Sequence, residues 1–129
     1  MARYLSRAQI LLIHSVIIDE TGGVHGLRDS HGLEALVRLP EQAFGGKELY
    51  PDLFLKSALY ARNIIEGHLF VDGNKRSGMV TASVFLEENG YRIIARKGEV
   101  ERYALRIARE RLSAEDISLW FKDHSEEIK

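Results

Sequence analysis

Hydrophobic residues recur at helical spacing over most of this chain, and the intervals between them carry the residue types that start and stop helices. Ile10–Leu11–Leu12–Ile13 and Val16–Ile17–Ile18 form an apolar stretch too long for a strand, with Ser6 placed to cap it and Thr21–Gly22–Gly23 to end it. Its apolar content predicts a mostly buried helix. A second, short helix is predicted from a cap at Asp29 or Ser30 through Glu34 to Val37, ended by Pro40. The segment Ala43–Tyr50 (AFGGKELY) has a Gly-Gly turn and no helical period, which predicts a small hairpin or flap. Pro51 suits the first turn of a third helix, where its missing N–H costs little. That helix continues to about Gly67 with Leu53, Phe54, Leu55, Ala58, Leu59, Ala61, Ile64 and Ile65 apolar on most sides, so it is predicted to be central.

A fourth helix starts near Asn74 and stops at Asn89–Gly90, where glycine accepts a left-handed backbone. Met79, Val80, Ala82, Val84, Phe85 and Leu86 predict its burial. Tyr91–Ala95 (YRIIA) suits a short extended piece. Glu99–Arg109 and Ser113–Lys122 then form two amphipathic helices, the last capped by Ser113 with Asp116 three residues on. The fold class predicted is all-α: a compact bundle of about six helices with a small β-hairpin flap. No repeat, low-complexity tract or linker divides residues 1–129, so one domain is expected.

Composition mostly excludes. A chain of 129 residues buries roughly two-thirds of the surface its unfolded form exposes, enough for one core. With 18 Lys+Arg against 19 Asp+Glu the formal charge is −1, so no bulk field recruits nucleic acid or an acidic membrane, and any anion site must be local. The absence of cysteine rules out disulfides and thiolate zinc sites. The start, MARYLSRAQ, lacks a signal-peptide pattern, and no apolar run approaches the ~20 residues a membrane span needs. A cytoplasmic protein with no membrane partner and no direct nucleic-acid partner is expected.

Candidate chemistry is concentrated in residues 68–78, HLFVDGNKRSG. His68, Asp72, Asn74, Lys75 and Arg76 fall within nine residues, directly before the charge-free run from Ser77 to Leu86. If a buried helix begins at Asn74, the amides of Gly73 through about Arg76 lie unpaired at its positive end, a favourable place for phosphate. Gly73 lets backbone approach a ligand; Lys75 adds a point charge and Arg76 a planar fork matched to phosphate oxygens. Asp72 repels an anion unless it ligates a Mg²⁺ that bridges the phosphates. Histidine is a residue type that transfers protons near neutral pH, so His68 could serve a hydroxyl being modified, and Phe70 would pin the loop to the core. This arrangement predicts that His68, Asp72 and Arg76 face one cavity. The spacing also permits a plainer arrangement, with Asp72 and Asn74 as helix caps and Lys75–Arg76 as a solvated first turn. No Walker A loop and no GxGxxG is present. Of the remaining histidines, His14 fits a hydrogen-bonded core position, His25 and His31 a local polar network flanking Arg28–Asp29 in a loop, and His124 a solvated terminus. Trp120 with Phe121 anchors the last helix.

HLFVDGNKR matches at every defined position the signature of the Fic/Doc superfamily, H-x-F-x-[D/E/N]-[G/A]-N-[G/K]-R. The similarity extends further: GLRDSHGLEALVRLPEQAFGG (Gly26–Gly46) resembles the segment before the family's flap, YPDLFLKSALYARNIIEGH its central helix, and FLEENGY the end of the helix after the motif. Length, Lys75 and the compact helical pattern resemble the Doc, or death-on-curing, branch. The resemblance implies His68 as catalytic base or hydroxyl-orienting residue, Phe70 as core anchor, Asp72 as Mg²⁺-linked acid, Gly73 and Asn74 as the turn that binds the nucleotide phosphates, and Lys75 and Arg76 as phosphate ligands with catalytic roles. The flap would position the target by strand-like pairing. By the same resemblance the protein would be a toxin of a toxin–antitoxin pair that uses ATP and Mg²⁺ to phosphorylate Ser or Thr on elongation factor Tu and arrest translation, restrained by an antitoxin polypeptide. Adenylyl transfer to a protein hydroxyl, or a catalytically silent binding module, are the alternatives. In adenylyl-transferring members the position of Lys75 is usually glycine, so the lysine favours a nucleotide bound with its γ phosphate toward His68. Self-inhibitory Fic helices carry [S/T]-x-x-x-E-[G/N]. Ser30–Glu34–Ala35 and Ser83–Glu87–Glu88 lack its final residue, which implies inhibition in trans.

Overall fold

Close packing of two helices, α3 (Leu53–Gly67) and α4 (Asn74–Glu88), forms the centre of the computed structural model, which describes residues 1–129. Gly78 makes their approach possible: a Cβ there would lie 2.7 Å from Ile65 Cγ1 and 3.0 Å from the Ala61 carbonyl oxygen. Around this pair the chain lays α1 (Arg7–Thr21) and α2 (Ser30–Arg38) on one side and α5 (Glu99–Glu110) and α6 (Ala114–Asp123) on the other. Leu5, Ile10, Leu33, Leu36, Tyr60, Ile64, Phe70 and Phe85 fill the first interface. Ala58, Ala61, Ile65, Met79, Leu86, Ile107, Ile117 and Phe121 fill the second. The all-α bundle of six helices with a small hairpin is as predicted.

Local rules account for most boundaries. Ser6 accepts the Gln9 amide and Gln9 returns the bond, a capping box that fixes the start of α1. Asp29 caps α2 by accepting the Gly32 amide, and Ser113 caps α6. The flap pairs β1 (Ala43–Phe44) antiparallel with β2 (Lys47–Glu48) across Gly45–Gly46, both with positive φ. Tyr60 is sealed inside, its oxygen accepting the Leu5 amide, and burial pushes its phenol up to about 12.

Several expectations are corrected. Helix α1 is not mostly buried: Leu12 and Val16 lie on an outer face no other element covers. Val80 in α4 is likewise exposed, because it borders a cavity rather than the core. Pro51 precedes the helix, and Asp52 is the residue that caps α3. The extended piece, β3 (Tyr91–Ile93), pairs with a terminal strand β4 (Ser125–Glu127) that no sequence pattern announced. His31 stands in α2 rather than in a loop, and His25 pairs with Asp19 at 2.8 Å on the surface. His124 is half-buried rather than solvated, stacked 3.9 Å from the Trp120 ring and bonded to Glu99.

Candidate active site

The loop between α3 and α4 is held by bonds from three directions. Helix α3 ends on His68, a non-glycine residue in the left-handed region (φ 47°, ψ 54°). Arg28 forks onto its end, Nε donating to the His68 carbonyl at 2.6 Å and Nη2 to the Gly67 carbonyl at 2.7 Å. The chain then forms a short antiparallel bridge, Leu27 opposite Phe70, in which the Leu69 carbonyl accepts the amides of Arg28 and Asp29 and the Val71 amide donates to the Gly26 carbonyl. Asn74 closes the loop on itself, its Oδ1 accepting the Phe70 amide at 2.9 Å and its Nδ2 donating to the Phe70 carbonyl at 2.8 Å. Both ends of the Asn74 amide are thus occupied by backbone, so the side chain shapes the turn.

Phe70 is buried and stacks on His14, 3.8 Å between centroids and 6° from parallel. His14 is also buried, and its Nε2 lies 2.8 Å from the Asp72 carbonyl oxygen. A carbonyl only accepts, so Nε2 carries the proton. This bears out His14 as a hydrogen-bonded core residue and adds its partner. Asp72 is fixed through its side chain as well: Oδ1 accepts the Gly73 amide at 3.0 Å and Oδ2 the Val24 amide at 3.2 Å. Gly23 makes room for it, since a Cβ at that residue would sit 2.8 Å from Oδ2.

Gly73 enters α4 with φ 74° and supplies no side-chain cap. The first helical bond runs from the Ser77 amide to the Gly73 carbonyl, and the amides of Asn74, Lys75 and Arg76 have no partner. Lys75 and Arg76 are exposed and make no ion pair. A cavity of about 760 Å³ opens here. Asp72, Gly73, Asn74, Lys75 and Arg76 line one wall; Met79 and Val80 of α4 with Val100, Ala104 and Leu105 of α5 form an apolar wall, and Glu101 adds a second carboxylate.

His68 does not share that cavity, contrary to the expectation from sequence. It lines an adjoining one of about 350 Å³ with Arg62, Ile65, Glu66, Ala108 and Arg111. His68 thus lies with residues of α3 and α5, while the following residues cross to α1, where the Asp72 carbonyl meets His14. Ala104 and Ala108, one helical turn apart on α5, border the two cavities in succession. His68 Nδ1 lies 3.2 Å from the Glu66 carbonyl and so donates, which makes Nε2 the proton-accepting nitrogen of the neutral ring.

The flap is tethered by a residue the sequence pattern did not single out. Lys56 is 1% exposed inside α3, its Nζ donating to the Pro40 carbonyl at 2.6 Å and to Glu48 Oε1 at 2.8 Å, 5.1 Å from the Tyr4 ring centre. Burial pulls the Lys56 ammonium down, but its hydrogen bonds to Glu48 and Tyr4 outweigh this and its pKa is raised. The same bond holds the Glu48 carboxyl below the usual range. A charge set among Leu53, Phe54, Leu55, Ala58 and Leu59 in the apolar first half of α3 was the signal available. The two glutamates of the inhibitory-like patterns are engaged elsewhere: Glu34 pairs with Arg7 at 3.0 Å and Glu87 accepts from Ser83 at 3.3 Å.

Residues 4–86 match the family model described as Fic/DOC family. Over 95 residues the chain is 35% identical to Toxin Doc of Mycolicibacterium smegmatis, covering 74% of this chain and 71% of that protein. It is 32% identical over 91 residues to Protein kinase doc of Escherichia phage P1, covering 70% and 71% respectively.

Proposed function

The chain belongs to the Fic/DOC family, and from that membership we propose that it is the toxin of a toxin–antitoxin pair, acting as an ATP-dependent kinase of a protein serine or threonine. The observation that carries this is the start of α4: three unpartnered amides, Lys75 and Arg76, all free, on one wall of a cavity that Asp72 also lines. Fixed N–H groups at a helix N-terminus, a mobile ammonium and a guanidinium fork together suit a chain of phosphates. The apolar wall from Val100 to Leu105 gives the nucleoside a surface outside the charged corner.

Mg²⁺ fits this residue set as a companion of the nucleotide. No group of three acidic, histidine or cysteine side chains gathers around Asp72, and a cation that leaves most of its coordination to phosphate oxygens and water asks for about one carboxylate. Asp72 would hold it, its orientation set by the Val24 and Gly73 amides and, through its carbonyl, by His14. When bound, the ion neutralises phosphate charge and reverses the repulsion that Asp72 would otherwise exert.

His68 Nε2 then accepts the proton of the acceptor hydroxyl as that oxygen attacks the γ phosphorus, and the bond from that phosphorus to the β–γ bridging oxygen breaks to release ADP. Lys75, Arg76 and the three amides stabilise the charge on the migrating group, so the protein contributes placement and electrostatics in the main. The donor occupies the larger cavity and the acceptor reaches His68 from the smaller. Arg28 holds the turn that sets His68 in place. The acceptor proposed is elongation factor Tu, its modification arresting translation in the cytoplasm. No helix is long and apolar enough to cross a membrane. Glu34 and Glu87 are engaged away from Arg76, which supports inhibition by a separate antitoxin polypeptide.

The test offers elongation factor Tu to the protein with Mg²⁺ and ATP labelled at either the α or the γ phosphate. Label from γ on protein is expected, and its loss in His68→Ala and Asp72→Ala with folding intact. Label from α would replace phosphoryl transfer by adenylyl transfer; label from neither would leave a binding module.

A further inference from the structure

Two carboxylates line the larger cavity, and they differ in what holds them. Asp72 stands beside Lys75 and Arg76 with its oxygens on the Val24 and Gly73 amides. Glu101 belongs to α5 and is exposed, with neither a hydrogen bond nor an ion pair. The other carboxylates of α5 are engaged: Glu99 accepts the Arg96 amide at 2.8 Å and meets His124 at 3.0 Å, and Glu110 accepts from Arg106 at 2.9 Å. Glu101 has no such partner further along its helix, because Ala104 and Leu105 occupy the positions three and four residues on. Helix α5 also orders the two cavities: Ala108 borders that of His68, Ala104 and Leu105 come next, and Val100 and Glu101 lie last. At the helical rise, Glu101 is about 10 Å from Ala108 along α5, at the end of the larger cavity remote from His68. Its neighbours on that wall, Val100, Ala104 and Leu105, are apolar.

We infer that Glu101 reads the pentose of the nucleotide donor, its carboxylate accepting hydrogen bonds from the ribose 2′- and 3′-hydroxyls. The inference rests on the reading of the larger cavity as the donor site, with the γ phosphate toward His68. In that direction the phosphates lie against Lys75, Arg76 and the α4 amides, and the part of the nucleotide that reaches the remote end is the uncharged nucleoside. An ionised carboxylate accepts and never donates, so it suits two adjacent hydroxyl donors, and hydrogen bonds to a charged acceptor are the stronger kind. Adenine offers a single amine flanked by ring nitrogens whose lone pairs a carboxylate repels, which leaves the base to the apolar wall of Val80, Val100 and Leu105. Turned the other way round, ATP would bring its terminal phosphate to Glu101 and be repelled. One side chain thus favours a ribonucleotide over a deoxyribonucleotide and the direction of binding that phosphoryl transfer needs.

Two arms test it. In the first, ATP, 2′-deoxy-ATP and 3′-deoxy-ATP are titrated calorimetrically into the full chain with Mg²⁺ and no acceptor protein. The native protein is expected to bind ATP about five- to tenfold more tightly than either deoxy analogue, less than a fully buried charged hydrogen bond gives because Glu101 is open to water. Glu101→Ala is expected to weaken ATP to the level of the analogues while holding the analogues within about twofold of their native affinity. Glu101→Gln, which keeps one acceptor oxygen, should recover part of the preference. Thermal unfolding without nucleotide separates this role from that of an acidic residue in the first turn of α5, which stabilises the positive end of the helix. A residue acting only there would lower Tm on replacement by alanine and leave the preference for ATP intact. In the second arm, transfer from γ-labelled ATP to elongation factor Tu should show a raised KM for ATP in Glu101→Ala, with kcat and the KM for the acceptor unchanged. Equal or absent binding of the three nucleotides by the native protein, or an alanine variant that keeps the preference, overturns the assignment. So does an equal loss for all three with a raised Mg²⁺ requirement, which would make Glu101 a metal ligand. If the native protein binds ATP but labels no protein, the kinase proposal fails while the titration still decides the role of Glu101.

Discussion

Replacing Asn74 by alanine separates loop shaping from nucleotide contact. Asn74 makes two bonds to the Phe70 backbone, at 2.9 and 2.8 Å, and Phe70 is 1% exposed. Each bond is worth about 0.5–1.5 kcal/mol net, and each buried backbone group left without a partner costs about 1–3 kcal/mol. Water reaches part of the opened turn, so the sum lies near the lower ends, about 2–4 kcal/mol. With an unfolding entropy of about 2.1 cal/mol/K per residue, a chain of 129 residues would lose about 7–15 °C in Tm. The assay is thermal and denaturant unfolding without nucleotide, with an unchanged m value expected, together with exchange of the Phe70 amide, which should quicken. If Asn74→Ala melts within about 2 °C of the native protein while transfer is abolished, the side chain acts on the nucleotide and the loop-shaping role is refuted.

Four further outcomes are expected. Lys56→Ala should cost about 2–5 kcal/mol, because it empties the space of a buried side chain and leaves the Pro40 carbonyl without a donor, whereas Lys56→Met should cost about 1–2 kcal/mol, mainly for that carbonyl, since Glu48 is half exposed and keeps its water; denaturant midpoints decide. Glu48 has its folded pKa depressed below the ordinary 4.5 by the hydrogen bond to Lys56, so its contribution is present above that value and is lost as pH falls through the depressed one; Glu48→Gln should flatten the acid limb of a stability–pH profile. Arg28→Ala should cost about 1–2 kcal/mol and lower transfer further than this predicts, with Arg28→Lys a poor rescue because one ammonium does not fork onto two carbonyls; paired Tm and rate measurements check both. His14→Phe keeps the stack on Phe70 but loses the bond to Asp72, and should raise the Mg²⁺ concentration for half-maximal transfer about tenfold, while His14→Gln, which retains a donor, should raise it less.

Local chemistry determined the elements of this fold. The caps at Ser6, Asp29 and Ser113, the Gly45–Gly46 turn and the stop at Asn89–Gly90 each act within four residues of the backbone they satisfy, so a linear pattern contains them. The same holds for the unpaired amides after Gly73, which follow from where α4 begins. Long-range contacts lie outside such patterns. The pairing of Tyr91–Ile93 with Ser125–Glu127 joins segments some thirty residues apart, and the terminal strand is too short and polar to signal itself. Lys56 finds its partners, Glu48 and the Pro40 carbonyl, only across the fold, 8 and 16 residues away. Arg28 and His14 reach the site loop from distant parts of the chain, and neither bond is encoded in its neighbours. The motif places His68 four residues before Asp72, yet His68 and Asp72 line different cavities. The motif was legible in the sequence; the division between the cavities was not, because α5, some thirty residues further along, borders both.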